Sequence, residues 1–238
     1  MNLTEAFDIK KKDVVSFVGG GGKTTAMFHL AEELVPEHSV LVTTTTKIGI
    51  PYIETGFKKY YAHDKLDTID LNRYRLIVSG GPEKGPKITE IRDEDFKRLY
   101  NLVDYVLIEA DGSRMKPYKA WRDFEPVIRK ETTKTIGVIP ITGLLKELTE
   151  EDIFNFELFK EHFGYEGVFD MQVLKRMIFE ELGIFKGALG SKYIYFNHCN
   201  NDQDIIKAKK ISKELSNYNR NIKYVYGSTV IENSIFKL

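Results

Sequence analysis

Short, nearly continuous runs of Val, Ile, Leu and Tyr recur along the chain at 13–18, 39–43, 74–79, 104–110, 135–139, 192–197 and 222–226. Runs of this length without polar alternation are the pattern of strands covered on both faces, as in a parallel sheet. Between them lie segments whose apolar residues recur every three to four positions, at 26–34, 93–102 and 204–215, the period of an amphipathic helix. Strands alternating with helices predict an α/β fold: a mostly parallel sheet with helices on both faces, in three layers, joined by right-handed crossovers. The stretch 142–190 departs from this rhythm. It is rich in Phe and Leu, predicts helices over 150–163 and 170–182 with no strand between them, and reads as a helical insertion within a single domain spanning 1–238. Thr149 followed by Asp152 is compatible with an N-cap for the first of these helices, and Phe154, Phe156, Phe159 and Phe163 form an aromatic stripe expected in the core.

In such a sheet ligands bind at the carboxyl ends of the strands, so the chemistry lies in what each strand delivers there. The first delivers Gly19, Gly20, Gly21, Gly22, Lys23, Thr24 and Thr25 directly into a helix expected at 24–34. Glycines without Cβ atoms let consecutive N–H groups turn inward as an anion nest, and the helix aims the positive end of its dipole at the same point. The run resembles a phosphate-binding P-loop, in which the lysine reaches the β and γ phosphates and the first hydroxyl ligates magnesium; Lys23 and Thr24 match those positions. Phe17 stands where the standard loop has its first glycine, so two compact variants fit better. One is the loop of MinD-like ATPases, whose usual lysine is replaced here by Val18. The other is the loop of Mur-type ligases.

The second strand ends in Thr43, Thr44, Thr45, Thr46 and Lys47. Two of these threonines are expected to be structural, because threonine favours strands on packing grounds alone. The third strand ends in Ser79-Gly80-Gly81-Pro82 and a mobile-looking stretch at 83–87. The fourth ends in Glu109-Ala110-Asp111-Gly112-Ser113-Arg114, two carboxylates at alternate positions that match an acidic magnesium-binding strand end. Catalytic roles are therefore expected for Lys23, Glu109 and Asp111, and magnesium ligation for Thr24, Glu109 and Asp111. Nucleotide or substrate contacts are expected from residues 19–25, Thr44, Thr45, Lys47, Arg114 and Asn197. Lys116 and Lys119 are further cations beside these loops. Asn197-His198-Cys199-Asn200 sits where guanine-specific proteins carry N-K-x-D. The lysine and aspartate are both replaced, so ATP is favoured over GTP.

Charge and cysteine usage narrow the field. Thirty-five basic and 35 acidic side chains cancel, so no global field argues for nucleic acid or an anionic membrane, and a small anionic substrate is expected beside the nucleotide. The N-terminal residues lack the apolar core of a signal peptide and no stretch reaches membrane-spanning length, which predicts a cytoplasmic protein. Cys199 is the single cysteine, which excludes an internal disulfide and a cysteine-held metal cluster. His29, His38, His63, His162 and His198 lack metal-site spacing and are expected to be structural.

Taken in order, Leu3-Thr4-Glu5-Ala6-Phe7, the loop Val18–Thr25, the tract from Thr43 to Ile48, Glu109 to Arg114, Glu125-Pro126-Val127-Ile128 and Gly183-Ile184-Phe185-Lys186-Gly187 resemble the YqeC-type proteins. These are described as accessory factors of selenium-dependent molybdenum hydroxylases or of selenium cofactor biosynthesis. The chain departs from that pattern at Phe124, where a histidine is usual, and at 117–121, where P-L-K-A-P is usual. The glycine loop and the acidic strand end lead to the expectation of a magnesium-dependent NTPase or phosphoryl transferase, and the resemblance adds the pathway, selenium or molybdenum cofactor maturation, with a molybdenum hydroxylase or its cofactor enzymes as partners. Two other readings stay open: a Mur-like ligase that activates a small carboxylate, and a nucleotide-gated binding or delivery module with little turnover.

Overall fold

The computed structural model describes residues 1–49, 58–228 and 235–238. In chain order its elements are α1 (Leu3–Ala6), β1 (Val14–Gly19), α2 (Lys23–Leu34), β2 (Val40–Thr44), β3 (Lys47–Gly49), β4 (Lys58–Tyr61), β5 (Leu76–Ser79), β6 (Glu83–Lys84), β7 (Lys87–Thr89), α3 (Asp93–Leu102), β8 (Tyr105–Glu109), β9 (Tyr118–Lys119), β10 (Lys134–Pro140), β11 (Ile153–Phe154), α4 (Phe156–Phe163), α5 (Met171–Phe179), β12 (Ser191–Asn197), α6 (Asp202–Tyr218), β13 (Ile222–Tyr226) and β14 (Phe236–Lys237).

Nine strands form one sheet in the order β14-β13-β12-β10-β1-β8-β2-β5-β4, parallel throughout except where β14 runs against β13. All seven runs expected from the sequence are in it. Alternate residues serve opposite faces, as the pleat requires. Val15, Phe17, Val42, Val78, Leu107, Val138 and Tyr195 pack under α1 and α2 against Leu3, Phe7, Met27 and Leu30. On the opposite face Val14, Leu41, Ile77 and Ile108 meet Phe96 and Leu99 of α3, while Ile139, Ile194 and Phe196 meet Leu174, Met177, Ala208 and Leu215 of α5 and α6. The three-layer α/β architecture follows from this double coverage.

β1 lies between β8 and β10, with β2 and β5 to one side and β12 and β13 to the other. This reversal of strand order opens a crevice at the carboxyl end of β1, where loops diverge in opposite directions.

Three sequence expectations need correction. The segment 83–87 is not a loose loop: β6 and β7 form a hairpin that pairs with β3 in a separate three-stranded sheet. The helix expected at 150–163 starts only at Phe156. Ile153 and Phe154 are drawn into a parallel pairing with β9, Thr149 closes a turn by donating its amide to Asp152 Oδ2 at 2.9 Å, and Asn155, at φ 59°, turns the chain into α4. The helix expected at 170–182 is capped by Asp170, whose Oδ1 accepts from the amides of Gln172 and Val173, and ends at Phe179 because Glu180 is extended. Within the aromatic stripe, Phe159 and Phe163 are fully buried, whereas Phe154 reaches a cleft described next.

Candidate functional site

Where β1 ends, the backbone makes the turn that only glycine takes without strain. Gly21 and Gly22 have φ of 61° and 110°. A Cβ on Gly22 would lie 2.3 Å from Asn197 Nδ2, and one on Gly21 would strike the Pro140 ring. α2 begins at once, with Gly22 as N-cap and no side chain capping its first amides. Those amides open into a cleft of about 940 Å³ lined by Gly21, Gly22, Lys23, Thr24 and Thr25 on its floor. An uncapped N-terminus of a three-turn helix, fed by a glycine turn, is a site for an anion.

Lys23 is held in a buried charge network. Its Nζ donates to Gly19 O at 2.6 Å and lies 3.0 Å from Asp111 Oδ1. Burial opposes its charge, but Asp111 and Glu109 outweigh this and raise the lysine above its ordinary value, so it stays an ammonium. Asp111 is fully buried. Its Oδ2 accepts from Gly19 N at 2.9 Å and Trp121 Nε1 at 2.5 Å, and lies 3.5 Å from Lys119 Nζ. Lys119, also fully buried, donates to Gly112 O at 2.7 Å and pairs with Glu125 Oε2 at 3.2 Å. Two ammoniums and two carboxylates thus alternate beneath the glycine turn.

Glu109, the last residue of β8, faces the cleft and accepts from Thr24 Oγ1 at 2.5 Å. Burial pushes its carboxyl above the ordinary range, against the pull of Lys23 and the Thr24 hydrogen bond. A part-desolvated carboxylate touching the first hydroxyl of the helix suits a hard cation that brings its own phosphate oxygens. Magnesium is commonly bound in this way, through one or two protein groups plus substrate. Among the described residues no group of three or more His, Cys, Asp or Glu side chains is placed to hold a metal without such help.

The other sequence candidates separate into two sets. Thr45, Lys47 and Arg114 line the cleft. Gly19, Gly20, Thr44, Asp111 and Asn197 do not. Thr44 donates its hydroxyl to Glu109 O at 2.9 Å, fixing the strand end that carries Glu109, and Thr43 is wholly buried. Asn197 donates Nδ2 to Gly21 O at 3.1 Å and braces the glycine turn from below. Glu109 and Asp111 do not share a strand face, because β8 ends at Glu109. Lys116 points away, its Nζ donating to the backbone carbonyls of Glu150 and Ile153. Cys199 is buried, its thiol pushed up to about 12, so it is not a thiolate.

The sequence gives no site role to Trp121, Lys87 or Met115, and marks Glu125 and Phe124 only through the family pattern, yet all but Trp121 line the cleft. A signal for Lys87 was present: Lys87-Ile88-Thr89 and Lys47-Ile48-Gly49 share a polar, apolar, polar-or-small order, the period of a short strand with one buried face.

The comparisons with known proteins agree with the resemblance seen in the sequence. The model of the YqeC protein family matches residues 15–157, which includes the glycine turn, Thr43 to Ile48, Glu109 to Arg114, and Glu125. A relative from Escherichia coli (strain K12), titled "Uncharacterized protein YqeC", is 28% identical over 196 residues, covering 79% of this chain and 76% of that protein. No solved structure matches the chain significantly. With more than half of its length matched by the family model, the chain belongs to the YqeC protein family.

Proposed function

We propose that the protein binds a nucleoside triphosphate with magnesium in the glycine turn, and works as an NTPase or phosphoryl transferase in the maturation of a selenium- or molybdenum-dependent hydroxylase. The nucleotide part rests on one observation: the uncapped start of α2, Lys23 and the Thr24–Glu109 pair meet on the floor of a single cleft. The pathway part rests on the family resemblance.

In this reading the free amides of α2 and the charge of Lys23 hold the phosphates. Lys23 moves from Gly19 O toward the anion, and Asp111 keeps its place through Gly19, Trp121 and Lys119. Thr24 and Glu109 hold magnesium, which when bound neutralises charge that develops on the transferred phosphoryl group. Thr44 and Thr45 orient the Glu109 strand end: Thr45 N donates to Glu109 O at 3.2 Å and its hydroxyl to Val127 O at 2.8 Å. Asp111, Asn197 and Trp121 position the loop and touch no ligand. ATP is favoured over GTP because no aspartate follows Asn197 in the guanine-reading place.

Titration calorimetry with ATP, GTP and CTP, each with magnesium, on wild type and Lys23→Ala tests this reading. Binding that Lys23→Ala abolishes while the variant still unfolds cooperatively is the expected result. Equal binding by the variant, or none by the wild type, removes the nucleotide from the account.

A further inference from the structure

The cleft extends well beyond the phosphate cradle, and its outer half has a chemistry of its own. One wall is the three-stranded sheet. The antiparallel register of β3 and β7 sets Ile48 opposite Ile88, and both are buried in the cluster that includes Met27 and Leu30 of α2, with Ile48 also edging the cleft. The pleat therefore sends Lys47 and Lys87 to the other face, where both are exposed and both line the cleft. The same cleft carries an apolar group. Met115 is 100% exposed and Phe124 is 69% exposed, and Phe154 completes the surface with Arg114 lying over its ring at 5.1 Å.

Arg114 and Met115 both adopt left-handed backbone, at φ of 51° and 65°. They are the two central residues of a turn closed by the hydrogen bond from Lys116 N to Ser113 O at 3.0 Å, and the turn sets the Met115 side chain in solvent at the edge of the cleft. Glu109 and Glu125, the buried carboxylates that reach the cleft, already face Lys23 and Lys119. Of the other lining cations, Lys87 also acts on the Glu109 carboxyl, and Lys47 and Arg114 share the cleft with Glu90, the exposed carboxylate of its lining.

The geometry points to a second subsite formed by Lys47 and Lys87 with Met115, Phe124 and Phe154, for a flat aromatic anion: an aryl or heteroaryl carboxylate or phosphate. Such a ligand offers its charge to the lysines and its ring face to Phe124 and Met115. This assignment rests on the reading of the glycine turn as the nucleotide site, because it places the acceptor of a transferred phosphoryl group or an activated carboxylate within the same cleft. A cleft of about 940 Å³ lies at the upper end of the range for small-molecule sites.

The test is ligand-observed saturation-transfer NMR with phenyl phosphate as probe, and methyl phosphate and benzyl alcohol as controls, with and without saturating ADP and magnesium. Phenyl phosphate is expected to bind more tightly than either control and to remain bound with ADP present. Lys47→Ala and Lys87→Ala are each expected to weaken it roughly two- to five-fold, and Phe124→Ala roughly two- to ten-fold. All three side chains are exposed, so the variants retain the fold. Displacement of the probe by ADP, equal binding of methyl phosphate or benzyl alcohol, or indifference to all three substitutions overturns the subsite. If phenyl phosphate binds in a Lys47-dependent way but ADP and ATP do not bind at all, the subsite stands and the nucleotide reading falls.

Discussion

Replacing Asp111 by asparagine separates its two possible roles, as a ligand of magnesium or as the anchor of the glycine turn. The carboxylate is completely buried and in contact with Gly19 N, Trp121 Nε1, Lys23 and Lys119. Asparagine has the same shape but no charge, and leaves two buried ammoniums with one partner fewer. Lys119 retains Glu125, whereas Lys23 loses its ion-pair partner and retains the Gly19 O hydrogen bond and the more distant charge of Glu109. Removing one side of a buried ion pair costs about 3–5 kcal/mol, a large share of the roughly 5–15 kcal/mol that holds a domain folded. For a urea dependence of about 2 kcal/mol per molar, the unfolding midpoint falls by roughly 1.5–2.5 M. Glu109→Gln is the control. Burial already disfavours its charge, and an amide oxygen can still accept from Thr24, so its cost is within about 1 kcal/mol. The assay is urea unfolding followed by far-ultraviolet circular dichroism, without nucleotide. A loss below about 1 kcal/mol for Asp111→Asn, or an equal loss for both variants, refutes the anchoring role.

Other expectations follow from single contacts. Gly22→Ala places a Cβ against Asn197 Nδ2 at a φ of 110°, and should cost about 1–2 kcal/mol from backbone strain alone; Asn197→Ala in the same chain should recover part of the loss in a double-mutant cycle, and strict additivity would exclude the clash. Trp121, the single tryptophan, donates to the carboxylate that holds Lys23, so its emission should shift on titration with ATP and magnesium in wild type, and an unchanged spectrum under saturating nucleotide would argue against movement of Lys23. Asp8 is held well below the usual carboxylate range, first by its hydrogen bond with Lys237 and further by Lys223 and Tyr193. Below about pH 3.8 the unfolded chain takes up this proton before the folded one does, so stability is lost on acidification. Asp8→Asn, which tolerates the local φ of 50°, should flatten that acid limb, and an unchanged pH profile would contradict the pairing.

Much of the fold is readable in the sequence because central parallel strands carry their signal in unbroken apolar runs. β1, β2, β5, β8, β10, β12 and β13 all announce themselves in this way. β4 does not: Lys58-Lys59-Tyr60-Tyr61 lies at the sheet edge, where charge is tolerated and apolar continuity is unnecessary. The two-residue strands β9 and β11 are equally silent, because their pairing is decided by tertiary contact between Tyr118 and Ile153 rather than by local preference. At the cleft, the glycine turn, Lys23 and Thr24 are legible as one unit because they are consecutive in sequence, and Glu109 because it ends an apolar strand run. The division of labour between Glu109 and Asp111 is not. It depends on where β8 ends and on Trp121 and Lys119, which reach Asp111 from ten and eight residues away. Lys87 joins the cleft only through the hairpin register that turns it away from Ile88.

The central claim is that the glycine turn, with Thr24 and Glu109, binds a nucleotide through magnesium. Thr24→Ala is the sharpest probe, since it removes one hydroxyl and leaves the buried network around Lys23 intact. Calorimetric titration of ATP into wild type and Thr24→Ala, with magnesium and with a chelator, is the measurement. The account predicts binding that requires magnesium in wild type and is at least several-fold weaker in the folded variant. Binding indifferent to both the metal and the hydroxyl would contradict it.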